Sequence, residues 1–153
     1  MVIDMNEHLV NLRDEKEKTQ KEIALLLDTT QSNYNKWETG KNLPPLFHLN
    51  SLANYFNTSI DYLIGITNIN IPTTNIDKIN KLECGKKILE LRKDNKLTQR
   101  ELAKELNTSH STLSAYESGK NLIIVSFALE LSKKYNISLD WLCGRSNKKY
   151  IDK

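Results

Sequence analysis

The chain has 153 residues, 39% of them hydrophobic and 27% charged, with a formal net charge of +3, an ordinary globular make-up. Its longest apolar run, Ile23 to Leu27, falls far short of the roughly 20 residues that span a bilayer. The opening Met1-Val2-Ile3-Asp4-Met5-Asn6-Glu7 lacks the basic and apolar regions of a secretory leader, so a cytoplasmic location is expected.

The chain repeats itself. Shifted by 79 positions, residues 9–65 fall on 88–144 without a gap, and 20 of the 57 pairs are identical, among them Leu12/Leu91, Arg13/Arg92, Thr19/Thr98, Gln20/Gln99, Ala24/Ala103, Glu38/Glu117, Gly40/Gly119 and Gly65/Gly144. A repeat of this length reads as one small module used twice. Charge is shared unequally: residues 1–66 hold 6 Lys/Arg against 9 Asp/Glu, and residues 83–153 hold 14 against 9. A basic half suits a polyanionic partner.

In chain order, the first copy opens with apolar positions at helical spacing over His8–Arg13, matched by Lys87–Arg92. Thr19-Gln20-Lys21-Glu22 and Thr98-Gln99-Arg100-Glu101 are capping boxes. They start second helices through Ile23-Ala24 to Leu27 and Leu102-Ala103 to Leu106, where Ala24 and Ala103 let a crossing helix come close. Asp28-Thr29-Thr30 and Asn107-Thr108-Ser109 follow, with Asp28 and Asn107 suited to a left-handed turn and Thr30 and Ser109 suited to cap a third helix. That helix spans about 31–39 or 110–118 and stops at Gly40 or Gly119. A fourth covers about 46–56 and 125–135, and a short fifth starts at Ser59 and Ser138. Neither copy shows sustained period-2 alternation, so the chain is expected to be all-α: two five-helix domains at 1–66 and 82–146, a linker at 67–81 and a tail at 147–153.

Helix, three-residue turn, helix is the arrangement of a helix-turn-helix, whose second helix enters a major groove. Leu12-Arg13, Thr19-Gln20-x-x-Ile23-Ala24, Trp37-Glu38-x-Gly40-Lys41, Leu52-Ala53 and Ser59-Ile60-Asp61-Tyr62-Leu63-Ile64-Gly65 resemble the family of phage Cro and lambda-type repressors, the Xre-like regulators. Leu91-Arg92, Thr98-Gln99-x-x-Leu102-Ala103, Tyr116-Glu117-x-Gly119-Lys120 and Ser138 to Gly144 carry the resemblance into the second copy. It implies a lambda-repressor-like fold in both copies and double-stranded operator DNA as partner. It further implies that Gln20 and Gln99 lie beside a phosphate and brace the recognition helix. Base reading would fall to Gln31, Ser32, Asn33, Asn35 and Lys36, and to His110, Ser111, Thr112 and Ser114. Backbone contacts would come from Lys41, Asn42, Lys120 and Asn121. Arg100 joins this set as one of the cations around the second copy's first two helices. Gln and Asn can pair bidentately with adenine, whereas Ser, Thr and His discriminate less, so the acidic first copy has the better base readers. The basic second copy should grip phosphates harder.

The copies differ again at Pro44-Pro45 against Ile123-Ile124. Apolar Ile123, Ile124, Val125 and Phe127 suggest an interface there, either within the chain or in a homodimer. The Asn/Thr-rich stretch from Ile66 to Lys81 reads as a flexible coil averaging roughly 20–24 Å end to end, against half-sites ~34 Å apart. Cys84 and Cys143 replace Met5 and Ile64 and read as small buried hydrophobes. No cofactor, metal site or enzymatic constellation is expected: the three His (His8, His48, His110) are scattered and no nucleophile has a base. The expected function is a sequence-specific transcriptional regulator, repression being the expected sense, in which the second copy anchors and the first discriminates. The alternative is a protein-interaction or antitoxin-type regulator in which one copy alone binds DNA. With both modules accounted for, no length is expected to remain for a ligand-sensing domain.

Overall fold

The computed structural model describes residues 5–151; the first four residues of the opening and the last two of the tail lie outside that range. The chain divides at Asp77/Lys78 into two units. In the first, α1 (Met5–Glu15), α2 (Gln20–Leu26), α3 (Gln31–Glu38), α4 (Leu46–Phe56) and α5 (Ile60–Leu63) follow one another. The second repeats them as α6 (Lys81–Asp94), α7 (Gln99–Glu105), α8 (His110–Glu117), α9 (Val125–Tyr135) and α10 (Leu139–Leu142). Among the described residues there is no strand, and one isolated antiparallel bridge joins Ile137 to Tyr150.

The punctuation falls where local chemistry requires it. Both capping boxes close, with the Thr19 and Thr98 hydroxyls accepting from the backbone of Glu22 and Glu101 and the Glu side chains accepting in return. Asp28 and Asn107 hold φ of 54° and 55°, the left-handed corner their short polar side chains tolerate. Thr30 and Ser109 then cap α3 and α8. Helix α6 begins six residues before the apolar pattern at Lys87, because the Asn80 side chain accepts from the backbone of Leu82 and Glu83. Ile79 and Cys84, both buried, occupy the two positions of a hydrophobic staple around that cap.

Each core gathers the apolar stripe of every helix. Leu9, Ile23, Tyr34, Leu49, Leu52, Ile60 and Leu63 are buried in the first unit, and Ile88, Leu91, Leu102, Leu113, Leu131, Leu139 and Leu142 in the second. Each such side chain contributes roughly 1.5–3 kcal/mol. Ala24 and Ala103 are buried at the α2–α3 and α7–α8 packing. Cys84 and Cys143 are free and buried, and burial pushes the Cys84 thiol up to about 11.

Two expectations change. The stretch after α5 is not a free coil: Asn50 and Asn54 both donate to the Ile76 carbonyl, at 3.0 and 2.7 Å, and the Thr58 hydroxyl bonds Asn70. Only Asp77, Lys78 and Ile79 separate that last fastening from the α6 cap, so the span estimated for a 16-residue coil does not apply. The tail is fastened too, by other bonds. Lys149 and Ile151 exchange backbone hydrogen bonds with Ser138 and Asn136, and Lys149 lies 2.8 Å from Glu90 and 2.5 Å from Asp94. Asn70 and Lys149 are 79 positions apart, so each unit is fastened at the same register although the bonds differ. The second change concerns the corner at Ile123. Ile123 is buried in its own unit, and Phe127 is half-buried with its ring edge-on to Tyr116 at 6.4 Å. Val125 is half-buried, Ile124 is exposed, and the tail fastens elsewhere.

Candidate nucleic-acid interface

A guanidinium and a carboxylate set the orientation of the third helix in each unit. Arg13, near the end of α1, donates from Nε and Nη2 to Glu38, the last residue of α3, at 2.7 and 3.0 Å. Its Nη1 reaches the Lys18 carbonyl before α2 at 2.9 Å. Gln20, the first residue of α2, donates to the same carboxylate at 3.0 Å and to the side-chain oxygen Oδ1 of Asn35 at 3.1 Å. The second unit repeats the lock: Arg92 donates to Glu117 at 2.7 and 3.0 Å and to the Leu97 carbonyl at 2.9 Å, and Gln99 donates to Glu117 at 3.0 Å. Forked, charge-assisted bonds of this kind fix geometry as well as contributing energy. Three consecutive elements are thereby tied at one buried carboxylate.

Burial alone would raise the Glu38 carboxyl, but hydrogen bonds from Arg13 and Gln20 and the Arg13 charge outweigh it and hold the group below the usual carboxylate range. The bond to Glu38 in turn raises Arg13. Beside this pair the Tyr34 hydroxyl is buried next to the Glu38 carboxylate, and burial first, then that carboxylate, pushes its pKa up. Leu113 occupies that register in the second unit.

What the lock presents is the outer face of α3 and α8. Gln31, Ser32, Asn33 and Asn35 are exposed, and Lys36 is half-buried. The Asn33 amide donates to the Thr29 hydroxyl at 3.3 Å. His110 and Ser111 are exposed, whereas Thr112 and Ser114 are half-buried, and the Thr112 hydroxyl bonds that of Ser109 at 2.9 Å. Lys41, Asn42, Lys120 and Asn121 are exposed in the loops that follow. The Lys41 and Asn42 amides bond the Lys36 carbonyl, and the Asn121 amide bonds the Ala115 carbonyl. Arg100 is exposed on α7. Within each unit these side chains lie on α2–α3 and the following loop, or on α7–α8 and the following loop. Asn35 and Gln20 are bonded to one another; in the second unit Ser114 holds the Asn35 register and Gln99 bonds Glu117 alone.

The helix-turn-helix family model matches residues 9–63 and again 88–142. The chain belongs to the Xre/lambda-repressor-like helix-turn-helix family. A segment of 62 residues is also 34% identical to the "HTH-type transcriptional activator BcrR" of Enterococcus faecalis. That segment is 40% of this chain, and it spans 30% of the relative's length.

Within this tandem helix-turn-helix protein, the Arg–Glu lock is the structural device that residue-type reasoning passed over. Its signal was present: Arg13/Arg92 and Glu38/Glu117 are oppositely charged identities in a repeat where most polar positions have diverged. A second repeated contact lies at the base of each unit. His8 stacks on Tyr62 with ring centroids 3.9 Å apart and places Nδ1 2.5 Å from the Tyr62 carbonyl oxygen. Lys87 donates to the Trp141 carbonyl at 2.6 Å and lies over its ring. Among the described residues no group of His, Cys, Asp and Glu is placed to hold a metal ion, and no helix is long and apolar enough to cross a membrane.

Proposed function

We propose that the chain is a sequence-specific transcriptional regulator that binds double-stranded operator DNA through both helix-turn-helix units. The supporting observation is the duplicated lock, which holds a short helix by one end and leaves the polar first turn free. An α-helix with its side chains is about 10–12 Å across, a fit to a major groove about 12 Å wide. Gln31 and Asn33 offer two-point pairing with adenine edges. The second unit offers weaker readers and more positive charge. The first therefore selects sequence, and the second supplies phosphate affinity.

Repression needs nothing beyond occupancy of a promoter, and we take it as the primary sense. The relative's printed name, a transcriptional activator, makes activation a second reading, which a reporter downstream of the selected operator separates by the sign of its response. A further reading has the second unit alone on DNA and the first docked to a protein, possible partners including a toxin. It draws on Leu25 and Leu26, exposed on α2 at 82% and 59% where the second unit carries Lys104 and Glu105. Selection of binding sites from random duplex DNA with the full chain decides between one unit and two. Two unlike half-sites are expected. A single short half-site would support DNA binding by one unit alone, and no enrichment would end the proposal.

A further inference from the structure

Where α7 turns into α8, an open cavity of about 350 Å³ is lined by Arg100, Ala103, Lys104, Asn107, Thr108 and His110. Arg100 and Lys104 stand four residues apart and so project from one face of α7. The carboxylates of the same helix are engaged elsewhere: Glu101 closes the capping box on the Thr98 amide, and Glu105 takes the Tyr135 hydroxyl. Among the described residues neither Arg100 nor Lys104 has an ion-pair partner. Other cations of the unit do, with Arg92 on Glu117, Lys86 on Glu83 and Lys149 on Glu90 and Asp94. Asn107 and Thr108 add an amide and a hydroxyl on the opposite wall, and His110 opens α8 at the rim.

Two uncompensated cations and several neutral donors around one concavity match a group with multiple acceptor oxygens and net negative charge. We propose that this cavity is a seat for a phosphate group. The first unit lacks the set. Its equivalent positions are Lys21, Ala24, Leu25, Asp28, Thr29 and Gln31, so one cation becomes leucine and the turn residue becomes an anion. If the DNA-binding reading holds, the occupant is a backbone phosphate at the start of α8. The other source of the same chemistry is a free phosphate ligand.

The test uses the full chain and Arg100→Gln/Lys104→Gln. Both residues are exposed and unpaired, so the variant should fold, and unchanged amide spectra away from the cavity verify this. Inorganic phosphate is titrated while the amides of Asn107, Thr108 and His110 are followed, and affinity for a selected DNA site is measured across salt concentrations. A seat predicts saturable phosphate shifts that the variant loses, together with a salt slope shallower by about one in the variant. Phosphate shifts with an unchanged DNA slope keep the seat and assign it to a free ligand. Phosphate shifts in a chain that binds no DNA keep the seat and remove the DNA reading. Normal DNA binding with no phosphate shifts and an unchanged slope overturns the seat alone, and absence of both responses overturns seat and function together.

Discussion

Glu38 and Glu117 are buried carboxylates at the ends of α3 and α8. Removing the partner of such a group leaves an uncompensated buried charge, at a cost of about 3–5 kcal/mol. Arg13→Ala is therefore expected to destabilise the first unit by about 3 kcal/mol, read by amide exchange across α1–α3. A loss under about 1 kcal/mol would show that the lock orients without stabilising. Because the Glu38 carboxyl is held below its unfolded value, its contribution is present above about pH 4.3 and is lost as pH falls through the lower folded value. The stability lead of the wild type over Glu38→Gln should shrink on acidification, and a lead constant from pH 7 to pH 3 would refute that account.

At the scale of elements, the two units separate α1 from α3 and α6 from α8 by different means. Gly85 lies inside α6 where a Cβ would come within 2.6 Å of the Glu117 carbonyl oxygen. In the first unit Asn6 occupies this register, and its side chain sits against Gly40 instead. Alanine is the better helix former by about 1 kcal/mol, yet the collision is with backbone that carries the lock. Gly85→Ala is expected to lower stability by about 1–3 kcal/mol despite the propensity gain, as chemical denaturation followed at Trp141 would show. An increase in stability would contradict the close approach. Helix existence and the α2–α3 and α7–α8 turns were legible in the sequence because caps, turn residues and the glycine stops are local chemistry, and each occurs twice. The fastenings of Asn50 and Asn54 on Ile76 and of Lys149 on Glu90 and Asp94 were not. They join polar residues far apart in the chain, and nothing in Asn/Thr-rich composition distinguishes such a strap from free coil. The Ile123 corner was only partly legible for a related reason. Two adjacent isoleucines cannot both face solvent or both face the core on a helix entrance, and packing put one on each side.

For the molecule as a whole, charge divides more sharply at the observed boundary than at the sequence-based one. Residues 1–77 carry 6 Lys/Arg against 10 Asp/Glu, and residues 78–153 carry 16 against 9, so the units stand at −4 and +7. The tandem architecture was readable from the 79-residue offset alone. The exposure of Gln31, Ser32, Asn33, His110 and Ser111 followed from the third-helix caps, and Thr112, drawn into a bond with the Ser109 hydroxyl, is the weakest of the proposed readers. The division of labour rests on these asymmetries. Its most direct measurement is selection from random duplex DNA, with salt-dependent affinities, for the full chain, for Gln31→Ala/Asn33→Ala, and for Arg100→Gln/Lys104→Gln. The account predicts that the first-unit variant loses base preference in one half-site while keeping its salt slope, and that the second-unit variant keeps the selected sequence with weaker, less salt-sensitive binding. A first-unit variant that selects the same site as the wild type would contradict it.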